Sequence, residues 1–223
     1  MSERPAMARP RTQLLTSQKI HRAALELFDE QNNFSIPRLA QRLGVSPSSL
    51  YHHVSGGRTD IIKGIRALIS QEAYSRGDFP PQGVTWQGQV RQWAINYRDA
   101  MGRHPMAIPA LVGEPVDDTD TLNIYENLVQ ILETAGFQDE LLLQALSLID
   151  VLALGSAVDA ASPEPPWKAS HSVRPALSRA LTSGHTGRRQ DDAFNLGLDA
   201  TIDKLEQMLV SPSEEMFTSK PAL

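Results

Sequence analysis

The stretch SIPRLAQRLGVSPSSLYHHV, Ser35 to Val54, reads as two short helices joined by a tight turn. Ser35 is placed to cap the first helix, and Ile36, Leu39, Ala40 and Leu43 recur at helical spacing, giving it one narrow apolar stripe. Gly44 follows the last periodic residue, where a glycine takes the left-handed conformation that closes a helix, and Val45 turns inward between the pair. The second helix begins at once. Ser46 caps it, Pro47 takes the first helical position, where a missing N–H costs nothing, and Leu50 and Val54 lie four apart on one side. Ser48, Ser49, Tyr51, His52 and His53 are left to face outward, all able to hydrogen-bond without a fixed charge. This is the layout of a helix-turn-helix, whose second helix lies in the DNA major groove and reads base edges with residues near its N-terminus.

Working toward the N-terminus, a helix from about Thr16 to Gln31 presents Ile20, Ala24, Leu27 and Phe28 inward and supplies the third wall of a small core. Residues 1–13 read as a flexible basic arm, with Arg4, Arg9 and Arg11. Toward the C-terminus, the Ser55-Gly56-Gly57 turn leads into a helix from about Thr59 to Ser75, which closes a DNA-binding domain over 14–76. The run Gly77-Asp78-Phe79-Pro80-Pro81-Gln82-Gly83 marks a linker at 77–84, and a helical body fills 85–223. Helices are expected there at about 85–103, 105–112, 119–135, 138–160, 173–181 and 189–210. The 138–160 helix is apolar on more than one face, so it must be covered on several sides. No strand or internal repeat is evident, and the fold class is all-α.

The pattern Leu39-Ala40-Gln41-Arg42-Leu43-Gly44-Val45, then Ser46, then Leu50-Tyr51-His52-His53-Val54 resembles the DNA-binding domain of the TetR family of bacterial transcription repressors over residues 15 to 70. The body resembles the subset that includes the tetracycline repressor, through Gly136-Phe137, Ala145-Leu146-Ser147, Leu154-Gly155 and Asp159. The resemblance implies a three-helix head followed by a larger ligand-binding and dimerisation domain. It further implies a homodimer on a near-palindromic double-stranded DNA operator, released by a small-molecule effector, with recognition helices about 34–36 Å apart. Candidate DNA-contacting residues are Ser35, Arg38, Ser46, Pro47, Ser48, Ser49, Tyr51, His52, His53 and Arg58. Arg58 enters because Gly57 stands where many family members carry a phosphate-contacting lysine. The tetracycline–magnesium site depends on histidines that are missing here from Gly77–Trp86 and from Leu111–Asp120, so no metal or cofactor is expected.

Composition agrees with this reading. The 223 residues carry a net charge of −5, yet residues 1–70 hold ten Lys and Arg against five Asp and Glu, leaving −10 for the remainder. A basic end on an acidic body suits docking on phosphates. The absence of cysteine excludes disulfides and thiol chemistry. With no export signal and no uninterrupted apolar span, a cytoplasmic location and no membrane partner are expected.

The apolar and aromatic side chains Trp86, Trp93, Tyr97, Met101, Met106, Tyr125 and Trp167 are candidates for lining an effector pocket. Asp150 joins them as a carboxylate among Leu148, Ile149, Val151 and Leu152, which needs a partner, the pocket or a dimer seam. Two other function classes are weighed. An architectural DNA-binding protein would share the head and lack an inducible body. An enzyme is disfavoured, because none of the six histidines shows zinc-site spacing and no nucleophile elbow, phosphate loop or dinucleotide fingerprint is present.

Overall fold

The computed structural model describes residues 15–74, 83–162, 166–184 and 187–210, and among them the chain is helical with no strand. The expected arm and most of the expected linker lie outside the described residues.

Four helices build the head. Helix α1 (Ser17–Gln31) starts at Thr16, whose hydroxyl accepts from the Lys19 N–H at 3.3 Å. It ends at Asn32 in the left-handed region, φ 61°, a conformation that asparagine tolerates better than most residues. Helix α2 (Ile36–Leu43) is capped by Ser35, which accepts from the Arg38 N–H at 3.4 Å, and is closed by Gly44 at φ 67°. Helix α3 (Pro47–Tyr51) follows two residues later, and α4 (Arg58–Tyr74) completes the set. Ile20, Phe28, Phe34, Leu39, Leu50, Val54, Ile61 and Ile65 fill the head's core, with the Phe28 and Phe34 rings edge to face at 5.4 Å. Helices α1 and α4 approach closely because residue 64 is glycine: a Cβ there would stand 2.1 Å from the His21 ring.

The recognition helix is shorter than the sequence suggests. Val54 turns back into the core, its N–H bonding the Leu50 carbonyl at 3.0 Å while His53 N–H bonds the same carbonyl at 2.9 Å. The last turn tightens, so His52 caps the helix and His53 lies in the turn beyond it.

The body is α5 (Trp86–Gly102), α6 (Ile108–Val112), α7 (Thr119–Ala135), α8 (Asp139–Ala160), α9 (Pro175–Ser183) and α10 (Arg189–Val210). Helix α5 lies at its centre, packing on α8, α7 and α4, and α10 packs on α8 and also reaches α5 through the Gln87–Glu206, Arg91–Asp199 and Arg98–Asp191 pairs. The helix expected from 105 begins only at Ile108, because the chain first makes a turn at His104–Ala107, with the Ala107 N–H on the His104 carbonyl at 3.0 Å. Asp118 caps α7 through the Thr121 N–H at 2.9 Å, and Gly136, φ 102°, ends it.

Helix α8 has two apolar sides. Leu142, Ala145, Ile149, Ala153 and Ala157 are buried, whereas Leu143, Val151 and Val158 form an outward stripe exposed by 73%, 69% and 48%. On α10, Phe194, Leu198, Ile202 and Leu205 are buried while Leu196 faces out. Helix α9 buries none of its own residues.

Candidate DNA-reading surface and effector site

The tip of the head is held by short local bonds. The Ser46 hydroxyl accepts from the Ser49 N–H at 3.3 Å and lies 2.9 Å from the Ser48 hydroxyl and 2.8 Å from that of Ser49. Ser46 is therefore a cap that fixes its two neighbours. Ser48, His52 and His53 are exposed, Ser49 is half-buried, and the Tyr51 ring is 49% exposed. Gly57, φ 61°, sits beneath that ring: a Cβ there would come 3.3 Å from the Tyr51 ring, so glycine gives both the turn and the room. Behind the tip, the Ser17 hydroxyl donates to the His53 carbonyl at 3.2 Å, tying the start of α1 to the end of the reading segment. Ser35 and Arg38 stand exposed at the start of α2.

The basic residues divide differently from a simple count. Arg58 is exposed yet bonded within the chain: it donates to the Phe34 carbonyl at 2.8 Å and to Asn33 Oδ1 at 3.0 Å, with its guanidinium 4.6 Å from the Phe34 ring centroid. It thus braces the loop before α2. Arg42 clamps Glu30 through two bonds of 2.7 Å and Glu26 at 3.0 Å, and this pairing holds the Glu30 carboxyl below its usual range. Lys63 meets Asp117 at 2.5 Å, and Arg66 is buried. Four of the head's basic side chains are therefore engaged within the chain.

Sequence reasoning counted Arg66 only as charge. The structure shows it as the anchor between α4 and the body. Its guanidinium donates to the carbonyls of Leu111, Glu114 and Pro115 at 2.5, 2.6 and 2.7 Å, gathering the last turn of α6 and the segment that follows it onto one side chain. Around it, Thr59 donates to Glu114 at 3.4 Å, Ser70 and Thr121 share a bond of 2.9 Å, and Gln71 donates to Asp120 at 2.9 Å. Positions 59, 63, 66 and 70 fall on one face of a helix, so α4 shows a polar ladder to the 111–121 segment. The signal available in the sequence was an arginine within the apolar run IIKGIRALI, a position that demands acceptors.

The eight candidate pocket residues do not form one group. Trp93 stacks on Tyr97 at 4.9 Å and donates its indole N–H to the Ile124 carbonyl at 3.0 Å. Tyr125 joins them, with ring centroids at 6.1 and 6.2 Å from Trp93 and Tyr97. The Tyr97 and Tyr125 hydroxyls are 3.0 Å apart, and Tyr125 donates to Asp150 Oδ1 at 3.0 Å. Burial, with Asp150 close by, pushes both phenols up, and burial pushes the Asp150 carboxyl up. Met101 is buried on the same helix as Trp93 and Tyr97. The other three lie elsewhere. Trp86 packs edge-on against Phe137 at 5.9 Å, and Trp167 lies under the Arg189 guanidinium at 5.3 Å. Met106 lines an open cleft of about 660 Å³ between the head and the end of α8, together with Phe28, Arg58 and Val158. Asp159, the acidic position shared with the tetracycline-repressor subset, is taken by Arg189 at 2.9 and 3.0 Å. Among the described residues, no group of three or more His, Cys, Asp or Glu is arranged to hold a metal ion.

Comparison with known proteins places this architecture. Residues 79–209 match the family model described as tetracyclin repressor-like, C-terminal domain. The chain is 26% identical over 205 residues to the class D tetracycline repressor protein of Escherichia coli, covering 88% of this chain and 92% of that protein. Among solved structures, it resembles the Streptomyces coelicolor TetR family protein ActR in complex with actinorhodin, with TM-score 0.72, 22% identity and coverage of 89% of this chain and 100% of that one. It also resembles BioQ bound to its natural double-stranded DNA operator, with TM-score 0.62, 22% identity and coverage of 87% and 99%.

Proposed function

The chain belongs to the tetracycline-repressor-like (TetR) family, and on that premise we propose that it is a DNA-binding transcriptional regulator, a homodimer that holds a near-palindromic operator until a small molecule enters its body. The observation that carries this reading is the exposed, uncharged tip of α3, with Ser48, Tyr51, His52 and His53 outward on a segment fixed by Ser46, Ser17 and Gly57. Hydrogen-bonding groups on a rigid short helix suit base edges. Ser35, Arg38, Pro47 and Ser49 flank the tip, and Ser46 acts by positioning. Arg58, being engaged with Phe34 and Asn33, is not assigned to a phosphate.

The outward stripe of Leu143, Val151 and Val158 supports pairing of α8 with its copy, since monomers rarely leave such a patch uncovered. The aromatic group of Trp93, Tyr97 and Tyr125 with Asp150 supports an effector site between α5, α7 and α8. As a regulator of genes it works in the cytoplasm, and its named relatives are regulators rather than enzymes.

Selection of binding sites from random duplexes tests this directly. A palindrome with half-sites about one helical turn apart is expected. Affinity for that duplex is expected to fall steeply with salt. Tyr51→Ala should weaken operator binding about tenfold or more, the scale of one lost base contact of about 1–3 kcal/mol, while the dimer persists in sedimentation. Selection that enriches no sequence would refute the proposal.

A further inference from the structure

We propose that Asp150 is the anchor for a positively charged effector: an aromatic molecule carrying a protonated amine, whose ammonium group pairs with the Asp150 carboxylate against the rings of Tyr125 and Tyr97. The inference rests on the reading that the body binds an effector, and it names that effector's chemical class.

The first observation is a missing partner. Asp150 lies on the inward side of α8, and its hydrogen-bond partners are phenol hydroxyls, Tyr125 at 3.0 Å and through it Tyr97 at 3.0 Å. Among the described residues, no Lys, Arg or His stands within ion-pair distance of it. Four of the body's arginines are engaged elsewhere: Arg91 with Asp199, Arg98 with Asp191, Arg103 with Glu72 and Arg189 with Asp159. The contrast within one helix is informative. Asp159, nearer the end of α8, is held by two bonds from Arg189, whereas Asp150, also partly buried, has no cation within ion-pair distance among the described residues.

Neutral hydroxyls orient a carboxylate and leave its charge uncompensated, so burial costs free energy that a cation would recover. The upward push on the Asp150 carboxyl, whose largest cause is desolvation, agrees with an unpaired charge.

The second observation is the surroundings. Three aromatic rings lie within 4.9 to 6.2 Å of one another beside this carboxylate. Ring faces carry negative potential and attract organic cations. The cluster also has a reachable edge: Trp93 and Tyr97 are 2% and 4% exposed, while Tyr125 and Asp150 are only partly buried. Asp150 and Tyr125 are thus the members of the cluster that solvent reaches, with Trp93 and Tyr97 buried beside them. The same arrangement disfavours an anionic ligand, which would bring a second negative charge beside Asp150.

The test uses the full-length dimer and three probes that share one ring system: 1-naphthylmethylamine, 1-naphthylmethanol and 1-naphthoic acid. Titration calorimetry at pH 7.5 should show the amine binding at least tenfold tighter than the alcohol, with the acid weakest. Asp150→Asn keeps a hydrogen-bonding amide of the same shape. It should bring the amine down to the affinity of the alcohol while changing the alcohol by less than about twofold. Tyr125→Phe, which keeps the carboxylate, should preserve the preference for the amine. An amine no tighter than the alcohol, no amine binding at millimolar concentration, or a preference that survives Asp150→Asn would each overturn the assignment. An operator-release assay separates the two readings. Release by a neutral or anionic compound that ignores Asp150→Asn would leave the regulator intact and remove the cation site. Failure of every compound to release DNA would strike the inducible regulator, whatever the calorimetry showed.

Discussion

Removing the Arg66 guanidinium should destabilise the protein more than any other single change on the face of α4. The side chain is 3% exposed and donates to three carbonyls at 2.5, 2.6 and 2.7 Å. It also lies 3.8 Å from Asp118 Oδ2, a buried oxygen with no hydrogen-bond partner of its own. Hydrogen bonds from a charged donor are worth roughly 1.5–3 kcal/mol each. Two of the three carbonyls are only partly buried and would regain water, so the full sum does not apply. Breaking one side of a buried charged contact costs about 3–5 kcal/mol, which is the range expected for Arg66→Met. Methionine retains the apolar stem, so the loss reports the polar contacts rather than packing. For a chain of this size that corresponds to a fall in Tm of roughly 6–20 °C, measured by scanning calorimetry at fixed dimer concentration. The head should also melt separately from the body, because α4 is the element they share. Arg66→Lys, with a compact charge, should recover only part of the loss. A Tm for Arg66→Met within about 2 °C of the wild type would refute the anchor role.

Three further outcomes are expected. Val151→Glu places a charge at the centre of the exposed α8 stripe and should convert dimer to monomer in sedimentation velocity; an unchanged dimer would move the interface elsewhere. Gly64→Ala puts a Cβ 2.1 Å from the His21 ring and should lower head stability by about 1–3 kcal/mol in a denaturant melt, against no change if the ring swings clear at no cost. Because burial raises the Asp150 carboxyl in the folded state, its contribution to stability is fully present below the unfolded value near 4 and is lost as pH rises through the folded one. Asp150→Asn should therefore gain Tm relative to the wild type as pH rises above about 4, and parallel curves would contradict this.

What the sequence disclosed follows from the range of the forces involved. Ser35, Gly44, Ser46 and Pro47 act on their own turn of chain, so the helix-turn-helix could be read from neighbours alone. Charge could not be read that way. Arg42 meets Glu30 across two helices, Arg58 meets Phe34 across the loop before α2, and Arg66 finds carbonyls more than forty residues on, so a count of basic residues overstated what faces DNA. The aromatic candidates failed to converge for a related reason. Helical spacing gives the face of one helix and not which helices meet, so Trp86, Met106 and Trp167 were grouped with rings they do not touch. Asp150 was legible as a misfit in an apolar run, while its phenol partners come from α5 and α7.

The bonds on one face of α4 give a physical route by which the body could move the head. Toward α1, Gly64 lies against the His21 ring, while Ile61, Ile65 and Ile69 are buried in the core. Toward residues 111–121 the contacts of α4 are directional bonds, three of them converging on one planar guanidinium. A shift of α7 or of the end of α6 is therefore passed to α4 as long as the Arg66 bonds hold. The effector site proposed above includes Tyr125 of α7, the helix that Asp118 caps and Arg66 approaches. An effector that displaces α7 is thus expected to move the recognition helix by carrying α4 with it, and the coupling should weaken in Arg66→Met even where effector affinity is unchanged.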